Sequence, residues 1–326
     1  MKYIFLEVDP VDTKVIQAHF PDAVIVHEAL SGTELVKACR DADVVSCFIY
    51  SPFTKDVITK LPKLKLLCTR SVGTNHIDRA ACDAQGIRIC NVPDYGSHVI
   101  AEHVFALLLS ALRHISVADK RVEEGQFDYH GLRGMALRGK TIGIVGTGKI
   151  GTRAAEMALG FGMRVIAVDQ CRVLELEKRG VLYTDIETLE RESDIITLHV
   201  PLLPETEHMI NAASIKRMKQ GVIIVNTARG ELIDSAALLE GLKFGKVARA
   251  LLDVLEHEKD VAWNQELVSH PNVIVTPHIA FYADQSMERM YEDCFASIEE
   301  YTKGKPLSHE VKDEKKVCDL PGVRKA

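Results

Sequence analysis

The stretch from Thr141 to Asp169 constrains the fold of this 326-residue chain more than any other. It reads TIGIVGTGKIGTRAAEMALGFGMRVIAVD: an apolar run, a glycine-rich turn, a helix-like segment, a second apolar run and an acidic residue. Gly146, Gly148 and Gly151 match the pattern G-x-G-x-x-G, and Asp169 follows the first glycine by 23 residues. This order predicts a strand–turn–helix–strand unit within a parallel sheet.

Each glycine of this turn has a separate physical purpose. Gly146 permits the tight turn, Gly148 lets backbone amides approach a pyrophosphate, and Gly151 allows the helix to pack closely on the sheet. The helix begins near Lys149 and Ile150, so its positive end faces the phosphates. The turn therefore predicts a dinucleotide-binding site.

Asp169 distinguishes this prediction from an ordinary turn between a strand and a helix, which needs no acid after the second strand. A carboxylate at this position accepts hydrogen bonds from both ribose hydroxyls and repels a 2′-phosphate, so NAD is favoured over NADP. Arg172 lies nearby in the sequence and leaves NADP open as an alternative.

The rest of the chain continues the alternation of strands and helices. Before residue 98, five apolar runs alternate with helix-like segments, and a second series of six runs begins at Thr141. A long helical segment from about Ser97 to Glu124 separates the two series, and a last helix spans about 283–301. Two α/β series predict two lobes, each with a mainly parallel sheet, followed by a loosely held charged tail.

Composition and charge exclude several classes of function. The net charge of −6 and the lack of a basic block argue against nucleic-acid binding. The apolar run at the N-terminus is too short to cross a membrane. Eight cysteines occur without a C-x-x-C pair, so we expect buried thiols in a reducing cytoplasm and no metal site; they are Cys39, Cys47, Cys68, Cys82, Cys90, Cys171, Cys294 and Cys318.

Polar residues that folding does not require follow three of the later strands. Arg229 in NTARG can offer a bidentate fork to a carboxylate, although a surface salt bridge is an alternative. His278 in TPHIA can exchange a proton at a hydroxyl or carbonyl group, although an isolated histidine is more often structural. Glu258 is the predicted carboxylate partner of His278, with Glu256 in reserve.

These three residue types together with a nicotinamide cofactor meet the needs of one reaction. Hydride transfer to a 2-keto acid requires a cofactor, an anchor for the carboxylate and a proton donor at the carbonyl oxygen. The combination therefore predicts an NAD-dependent oxidoreductase of 2-hydroxy acids.

The same segments resemble the D-isomer-specific 2-hydroxyacid dehydrogenases over nearly the whole chain. Besides GTGKIG, the resemblance includes RSVGTNHID, NVPDYGSHVIAEH, LHVPLLPET, NTARGELID, LLDVLEHE and TPHIAFY. It implies a Rossmann domain for NAD at 99–282 and a smaller flavodoxin-like substrate lobe at 1–98 plus 283–326. It also implies a homodimer.

The resemblance also implies roles for individual residues. Arg229 would bind and polarise the keto acid, His278 would be the acid/base and Glu258 its partner. The backbone of Ser71, Val72 and Gly73 would receive the substrate carboxylate. Residues implied to contact the cofactor are Val200, Pro201, Thr206, Thr227 and Ala228, with Asp253 at the nicotinamide carboxamide.

Within the family, the motifs look most like the D-lactate dehydrogenase branch. Tyr95 and Phe281 would then enclose a pocket for a methyl group, as in pyruvate, and Tyr50 could also reach the substrate. Other 2-hydroxy acids, such as glycerate or a branched or aromatic acid, stay open. So does an NADH-sensing binding protein similar to corepressors of this fold.

Overall fold

The computed structural model describes residues 1–258, 260, 262–311 and 322–325. It divides the chain into two compact units: unit 1 is Met1–Tyr95 with Ala283–Glu314, and unit 2 is Gly96–Tyr282 with Lys315–Ala326. The first boundary lies three residues before the one expected from the sequence. The second difference is that the described C-terminal residues 322–325 belong to unit 2 and not to the unit that contains residues 1–95.

Unit 1 contains a five-stranded parallel sheet in the order β2-β1-β3-β4-β5. Its strands are β1 Tyr3–Phe5, β2 Val24–Ile25, β3 Val44–Cys47, β4 Leu66–Thr69 and β5 Arg88–Cys90. Its helices are α1 Thr13–His19, α2 Gly32–Cys39, α3 Lys55–Ile58, α4 Arg79–Ala84 and α13 Asp284–Thr302. This strand order is that of flavodoxin-like folds, as expected, and the order reverses between β1 and β3.

Helix α13 completes unit 1 although it comes almost 190 residues after the rest of the unit. The ring of Phe295 lies 6.1 Å from that of Phe5 and 5.3 Å from that of Phe20. Through these edge-on contacts the helix packs against unit 1, with Phe5 and Phe295 buried and Phe20 half-buried.

Unit 2 contains a seven-stranded parallel sheet and a small two-stranded antiparallel sheet. Its strands are β6 Thr141–Val145, β7 Arg164–Val168, β8 Cys171–Val173, β9 Leu182–Tyr183, β10 Ile195–Leu198, β11 Val222–Asn226, β12 Val247–Leu252, β13 Val273–Val275 and β14 Val323–Lys325. Its helices are α5 Ser97–Leu112, α6 Ile115–Glu123, α7 Lys149–Gly160, α8 Leu174–Lys178, α9 Ile186–Glu192, α10 Ala212–Arg217, α11 Ser235–Lys243 and α12 Gln265–Val268.

The large sheet has the order β13-β12-β11-β10-β6-β7-β9, which is the doubly wound Rossmann order with one additional strand. Consecutive residues of its central strands belong to different apolar cores: Ile195 and Ile223 to one, and Ile196 and Ile224 to the other. Both faces of the sheet are therefore buried, which explains the continuous apolar runs in the sequence. The order reverses between β6 and β10, where ligands of such sheets bind.

Three local expectations were wrong. The long helix expected at 97–124 is two helices, because His114 between α5 and α6 has the left-handed φ of 56° and the axis bends by 57°. The tail is not loose throughout, since β14 pairs with β8. Six cysteines are buried free thiols as expected, but Cys171 is disulfide-bonded, and Cys318 lies outside the described residues.

Among the described residues, no single helix is long and apolar enough to cross a membrane. The bent pair of α5 and α6 meets that test by length and composition when the two helices are taken together.

Candidate active site

The glycine turn lies at the end of β6, where the strand order of unit 2 reverses. Gly146 has a φ of 92°, and a Cβ there would lie 2.7 Å from the carbonyl oxygen of His199. A Cβ on Gly151 would collide with the carbonyl oxygen of Gly146, whereas a Cβ on Gly148 would meet no atom within 4 Å. Gly146 and Gly151 thus allow close packing, and Gly148 leaves open space in front of the N-terminus of α7.

Asp169 follows β7 and is oriented by its own turn. One carboxylate oxygen accepts hydrogen bonds from the Thr147 amide at 2.5 Å, and the other accepts from the Cys171 amide at 2.8 Å. The side chain remains partly exposed. Arg172, which left NADP open, lies 3.8 Å from Glu177 and has its guanidinium 5.8 Å from the ring centre of Tyr183.

The other residues expected at the cofactor lie in loops that follow β10 and β11. Thr206 donates from its hydroxyl to the carbonyl of Pro201 at 2.7 Å, so it closes the loop that begins at Val200. Thr227 has a buried hydroxyl that makes no hydrogen bond within the described part of the chain, and Ala228 follows it, half-buried.

These features fit a dinucleotide. The open space at Gly148 and the first amides of α7, from Lys149 and Ile150 onward, suit a pyrophosphate. The carboxylate of Asp169 suits the ribose hydroxyls, and the unpaired hydroxyl of Thr227 offers a further polar contact.

His278 and Glu258 form a hydrogen-bonded pair. Nδ1 of His278 lies 3.1 Å from Oε2 of Glu258, and the two side chains are 16% and 29% exposed. His278 has a left-handed φ of 54°, and its ring makes an edge-on contact with Phe281 at 6.4 Å between centroids. Because Glu258 engages Nδ1, Nε2 is the nitrogen left for a substrate.

Asp253 holds the backbone of the loop that carries His278. Its Oδ1 accepts from the Ile279 amide at 2.9 Å and from the Thr276 hydroxyl at 2.5 Å, and its Oδ2 accepts from the Ala280 amide at 2.8 Å. The carboxylate is 0% exposed. The expected contact of Asp253 with the nicotinamide carboxamide stays a prediction.

Arg229 follows β11 and the buried side chain of Asn226. The Asn226 amide nitrogen donates to the Arg229 carbonyl at 2.7 Å, and its oxygen accepts from the Ala228 amide at 3.0 Å, so one side chain shapes the turn. The guanidinium donates to the Ala228 carbonyl at 2.6 Å. Among the described residues it has no carboxylate partner, so the alternative of a surface salt bridge is not observed.

Glu256, the reserve partner for His278, has another partner. One of its oxygens lies 2.7 Å from Nε2 of His208, and the other accepts from the Ser235 amide at 2.9 Å. The hydrogen bond to this carboxylate raises the pKa of His208 above 6.5. Of the two acids, the structure brings Glu258 to His278.

In unit 1 the loop Ser71–Gly73 follows β4. The Ser71 hydroxyl donates to the Gly73 carbonyl at 2.7 Å, and the Val72 carbonyl accepts from the Asn91 side chain at 2.8 Å. The three consecutive amides of this loop donate to no acceptor in the residues that the structure describes. Tyr95 lies in the same unit and is 7% exposed.

The sequence did not single out Asn226, His103 or Thr276 for the site. Nε2 of His103 lies 3.0 Å from the Thr276 hydroxyl and 3.6 Å from Asp253. Asn226 and Thr276 are part of the quoted segments NTARG and TPHIA, so their position at the end of a strand or directly after one was the available signal. His103 lies on a helix, and no local pattern indicates its contact.

Comparisons with known proteins are consistent with this geometry. Residues 105–280 match the family model described as "D-isomer specific 2-hydroxyacid dehydrogenase, NAD binding domain". The chain is 42% identical over 284 residues to an aromatic 2-oxoacid reductase of Clostridium sporogenes, covering 83% of this chain and 86% of that protein. It is 38% identical over 285 residues to a hydroxypyruvate reductase of Thermotoga maritima, covering 86% and 92%.

A solved structure is similar over almost the full length. D-lactate dehydrogenase from Aquifex aeolicus, complexed with NAD and lactic acid, has a TM-score of 0.88 and 33% identity to this chain. The alignment covers 96% of this chain and 100% of that one.

Taken with the glycine turn, Asp169 and the His278–Glu258 pair, these matches define the class as an NAD-dependent oxidoreductase. The chain belongs to the D-isomer-specific 2-hydroxyacid dehydrogenase family. Its reaction interconverts small 2-hydroxy and 2-keto acids with NAD as the cofactor. The family, the fold class and the cofactor expected from the sequence are thereby confirmed.

Proposed function

We propose that this enzyme reduces pyruvate to D-lactate. When bound, NADH supplies the hydride that adds to C2 of the keto acid. The observation that carries the chemical proposal is the hydrogen bond between His278 and Glu258 in a loop held by a buried carboxylate. The similar D-lactate dehydrogenase structure supports the choice of substrate.

His278 donates the proton that the carbonyl oxygen requires as the hydride arrives. Glu258 accepts a hydrogen bond from Nδ1 and stabilises the protonated ring, which leaves the proton on Nε2 for transfer. In the reverse direction the same nitrogen accepts the proton of the hydroxyl group. The hydrogen bond to Glu258 thus keeps the Nδ1 proton in place while Nε2 gives up and takes back its own proton.

Arg229 binds and polarises the keto acid. A guanidinium with no carboxylate partner among the described residues can give the N–H donors that do not bind the Ala228 carbonyl to an anionic substrate. It also stabilises negative charge that develops on the carbonyl oxygen.

The backbone of Ser71, Val72 and Gly73 binds the substrate carboxylate. Three successive amides with no acceptor among the described residues are available as donors to an anion. The side-chain hydroxyl of Ser71 is used within the loop, so the amides make the contact.

We infer that Tyr95 and Phe281 limit the size of the substrate side chain and favour a methyl group. A larger substrate is the second candidate, because the chain is 42% identical to an aromatic 2-oxoacid reductase. Both candidates use the same acid/base pair, so they differ only in the residues that face the side chain of the keto acid.

The test is the rate of NADH oxidation by the purified protein with pyruvate, hydroxypyruvate, glyoxylate, 2-ketobutyrate and phenylpyruvate, with NADPH in parallel. We expect the highest kcat/KM with pyruvate and NADH, and D-lactate as the product on a chiral column. A higher kcat/KM with phenylpyruvate would replace the first candidate with the second. Tight NADH binding without turnover of any acid would indicate a sensor.

We further propose that the protein is a homodimer. Five large apolar side chains are at least half exposed within a 15-residue segment of unit 2, at α6 and the loop after it: Ile115, Val117, Val122, Phe127 and Tyr129. Phe127 is 95% exposed. Large apolar side chains that are exposed in one short segment are typical of contact surfaces, and a second copy of the chain presents the same segment for a symmetric contact.

The oligomeric state can be measured by light scattering after size exclusion. We expect the mass of two chains for the wild type and the mass of one for Phe127→Asp. Phe244→Asp is the matched control, because Phe244 is 77% exposed on another part of unit 2 and should leave the dimer intact. A monomeric wild type would contradict this proposal without affecting the catalytic one.

A further inference from the structure

Glu7 has an unusual backbone conformation at the carboxyl edge of the unit 1 sheet. It lies just after β1, where the strand order reverses between β1 and β3. Its φ is 56°, in the left-handed region that side chains other than glycine rarely adopt. Such conformations persist only where surrounding contacts enforce them, and they concentrate at functional sites.

The carboxylate of Glu7 spans this reversal point and binds the loop after β3. Oε2 accepts from the Tyr50 amide at 2.8 Å, and Oε1 accepts from the Ser51 amide at 3.1 Å. Two oxygens on two successive amides fix both the position and the orientation of the loop. Tyr50 itself is half-buried and lies edge-on to Phe48, with 6.1 Å between ring centres.

Arg70 enforces the turn at Glu7. It is 1% exposed, and its Nη2 donates to the Leu6 carbonyl at 2.7 Å and to the Glu7 carbonyl at 2.9 Å. Its Nη1 donates to the Ser46 hydroxyl in β3 at 2.8 Å. The guanidinium thus holds the carbonyls on both sides of the Glu7 Cα, which aims the carboxylate at the neighbouring loop.

The same arginine directly precedes the loop Ser71–Gly73. Arg70 is therefore the neighbour in sequence of the amides proposed to bind the substrate carboxylate. Its buried side chain also fixes the turn that positions Tyr50. In flavodoxin-like sheets, ligands bind at the carboxyl edge where the strand order reverses. A strained glutamate at that point is not needed to pair the strands of the sheet.

We propose that Glu7 is a positioning residue for substrate selectivity: it fixes the loop that carries Tyr50 and so determines which side chains of 2-keto acids the enzyme accepts. The inference rests on the proposed function only in that unit 1 supplies the substrate loops. It does not require pyruvate to be the best substrate.

The test compares kcat/KM for two acids that differ in size, pyruvate and phenylpyruvate, in the wild type and in Glu7→Gln. The amide of glutamine places a donor against one backbone N–H, so the loop loses one of its two anchors. We expect the ratio of the two kcat/KM values to change by at least about tenfold, which is the effect of losing one hydrogen bond to a charged group. The dissociation constant of NADH, measured by fluorescence, should not change.

Two further variants keep the test decisive. Glu7→Gly removes the carboxylate and relieves the left-handed backbone, so it should fold and shift the ratio in the same direction. Glu34→Gln is the control, because Glu34 is exposed on α2 in the same unit and should leave the ratio unchanged.

A ratio within about twofold of the wild type in both Glu7 variants would overturn the proposal. So would an equal loss with both acids accompanied by a lower Tm, which indicates a purely structural role. Crystal structures of the wild type and Glu7→Gln give a readout apart from activity, and an unmoved Tyr50 backbone would also refute it. Wild-type preference for phenylpyruvate would reject the pyruvate proposal alone.

Discussion

The substitution Asp253→Asn tests how the catalytic histidine is held in place. Asp253 is fully buried and accepts hydrogen bonds from the Ile279 amide, the Ala280 amide and the Thr276 hydroxyl. Asparagine has nearly the same shape, so it removes the charge and one acceptor while leaving no cavity. The loop that carries His278 is the part of the molecule that this change affects directly.

The magnitude follows from the contacts. The Asn oxygen can keep the bonds from Ile279 and Thr276, but its amide nitrogen then faces the Ala280 N–H, donor against donor. A lost hydrogen bond to a charged group costs about 1.5–3 kcal/mol, and the unpaired buried donor costs about 1–3 kcal/mol more. If about 2.7 kcal/mol of this combined cost raises the activation free energy of the reaction, kcat/KM for the keto acid falls about a hundredfold.

Steady-state kinetics and NADH fluorescence titration together make the test. We expect kcat/KM for the keto acid to fall about a hundredfold while the Kd of NADH stays within about threefold of the wild-type value. Asp194→Asn is the matched control, because Asp194 also accepts a backbone amide, from Thr141 at 2.8 Å, but at the opposite edge of the sheet. Retained kcat/KM in Asp253→Asn would refute the reasoning, and weakened NADH binding with normal kcat would support the expected nicotinamide contact.

Three other outcomes are expected. Arg229→Gln should lower kcat/KM for the keto acid about a thousandfold and leave the affinity for NADH unchanged. Because lysine lacks the planar fork, kcat/KM of Arg229→Lys should stay at least about tenfold below that of the wild type. Near-normal rates in both variants would argue against substrate binding by Arg229. Asp169→Ala should weaken the binding of NADH at least about tenfold and raise the preference for NADPH over NADH, both measured by fluorescence titration. An unchanged preference would contradict the contact between Asp169 and the ribose. The bond to Glu256 raises the pKa of His208, so its stabilisation is complete below pH 6.5 and is lost as pH rises through the raised pKa. In urea unfolding, His208→Gln should therefore be less stable than wild type at about pH 5.5 and nearly equal at about pH 8.5; a constant difference would exclude this linkage.

The sequence was sufficient where local pattern determines structure. The five strands of unit 1 and six of the seven in the large sheet of unit 2 were predicted, because buried parallel strands leave continuous apolar runs. The glycine turn was predicted as well, since the contacts that require Gly146 and Gly151 leave a recognisable pattern within a short segment. The pairing of His278 with Glu258 was predicted as well, although the choice over Glu256 depended on the path of one loop.

The sequence was insufficient where a contact joins distant segments. Burial of the Asp253 carboxylate results from amides 26 and 27 residues away, and no periodicity reports such a contact. The strand β14 was missed because three residues of pairing with β8 are too few to give a pattern. The break at His114 was missed because histidine carries no signal for a left-handed φ.

The divided layout of unit 1 has a consequence for synthesis of the chain. Phe5 and Phe20 emerge from the ribosome early, but Phe295, which packs against both, is added only after the whole of Gly96–Tyr282. At about 5–20 residues per second, this interval of almost 190 residues lasts about 10–40 s. During that time the sheet of unit 1 lacks one covering helix, so a nascent chain should depend on chaperones most at this stage.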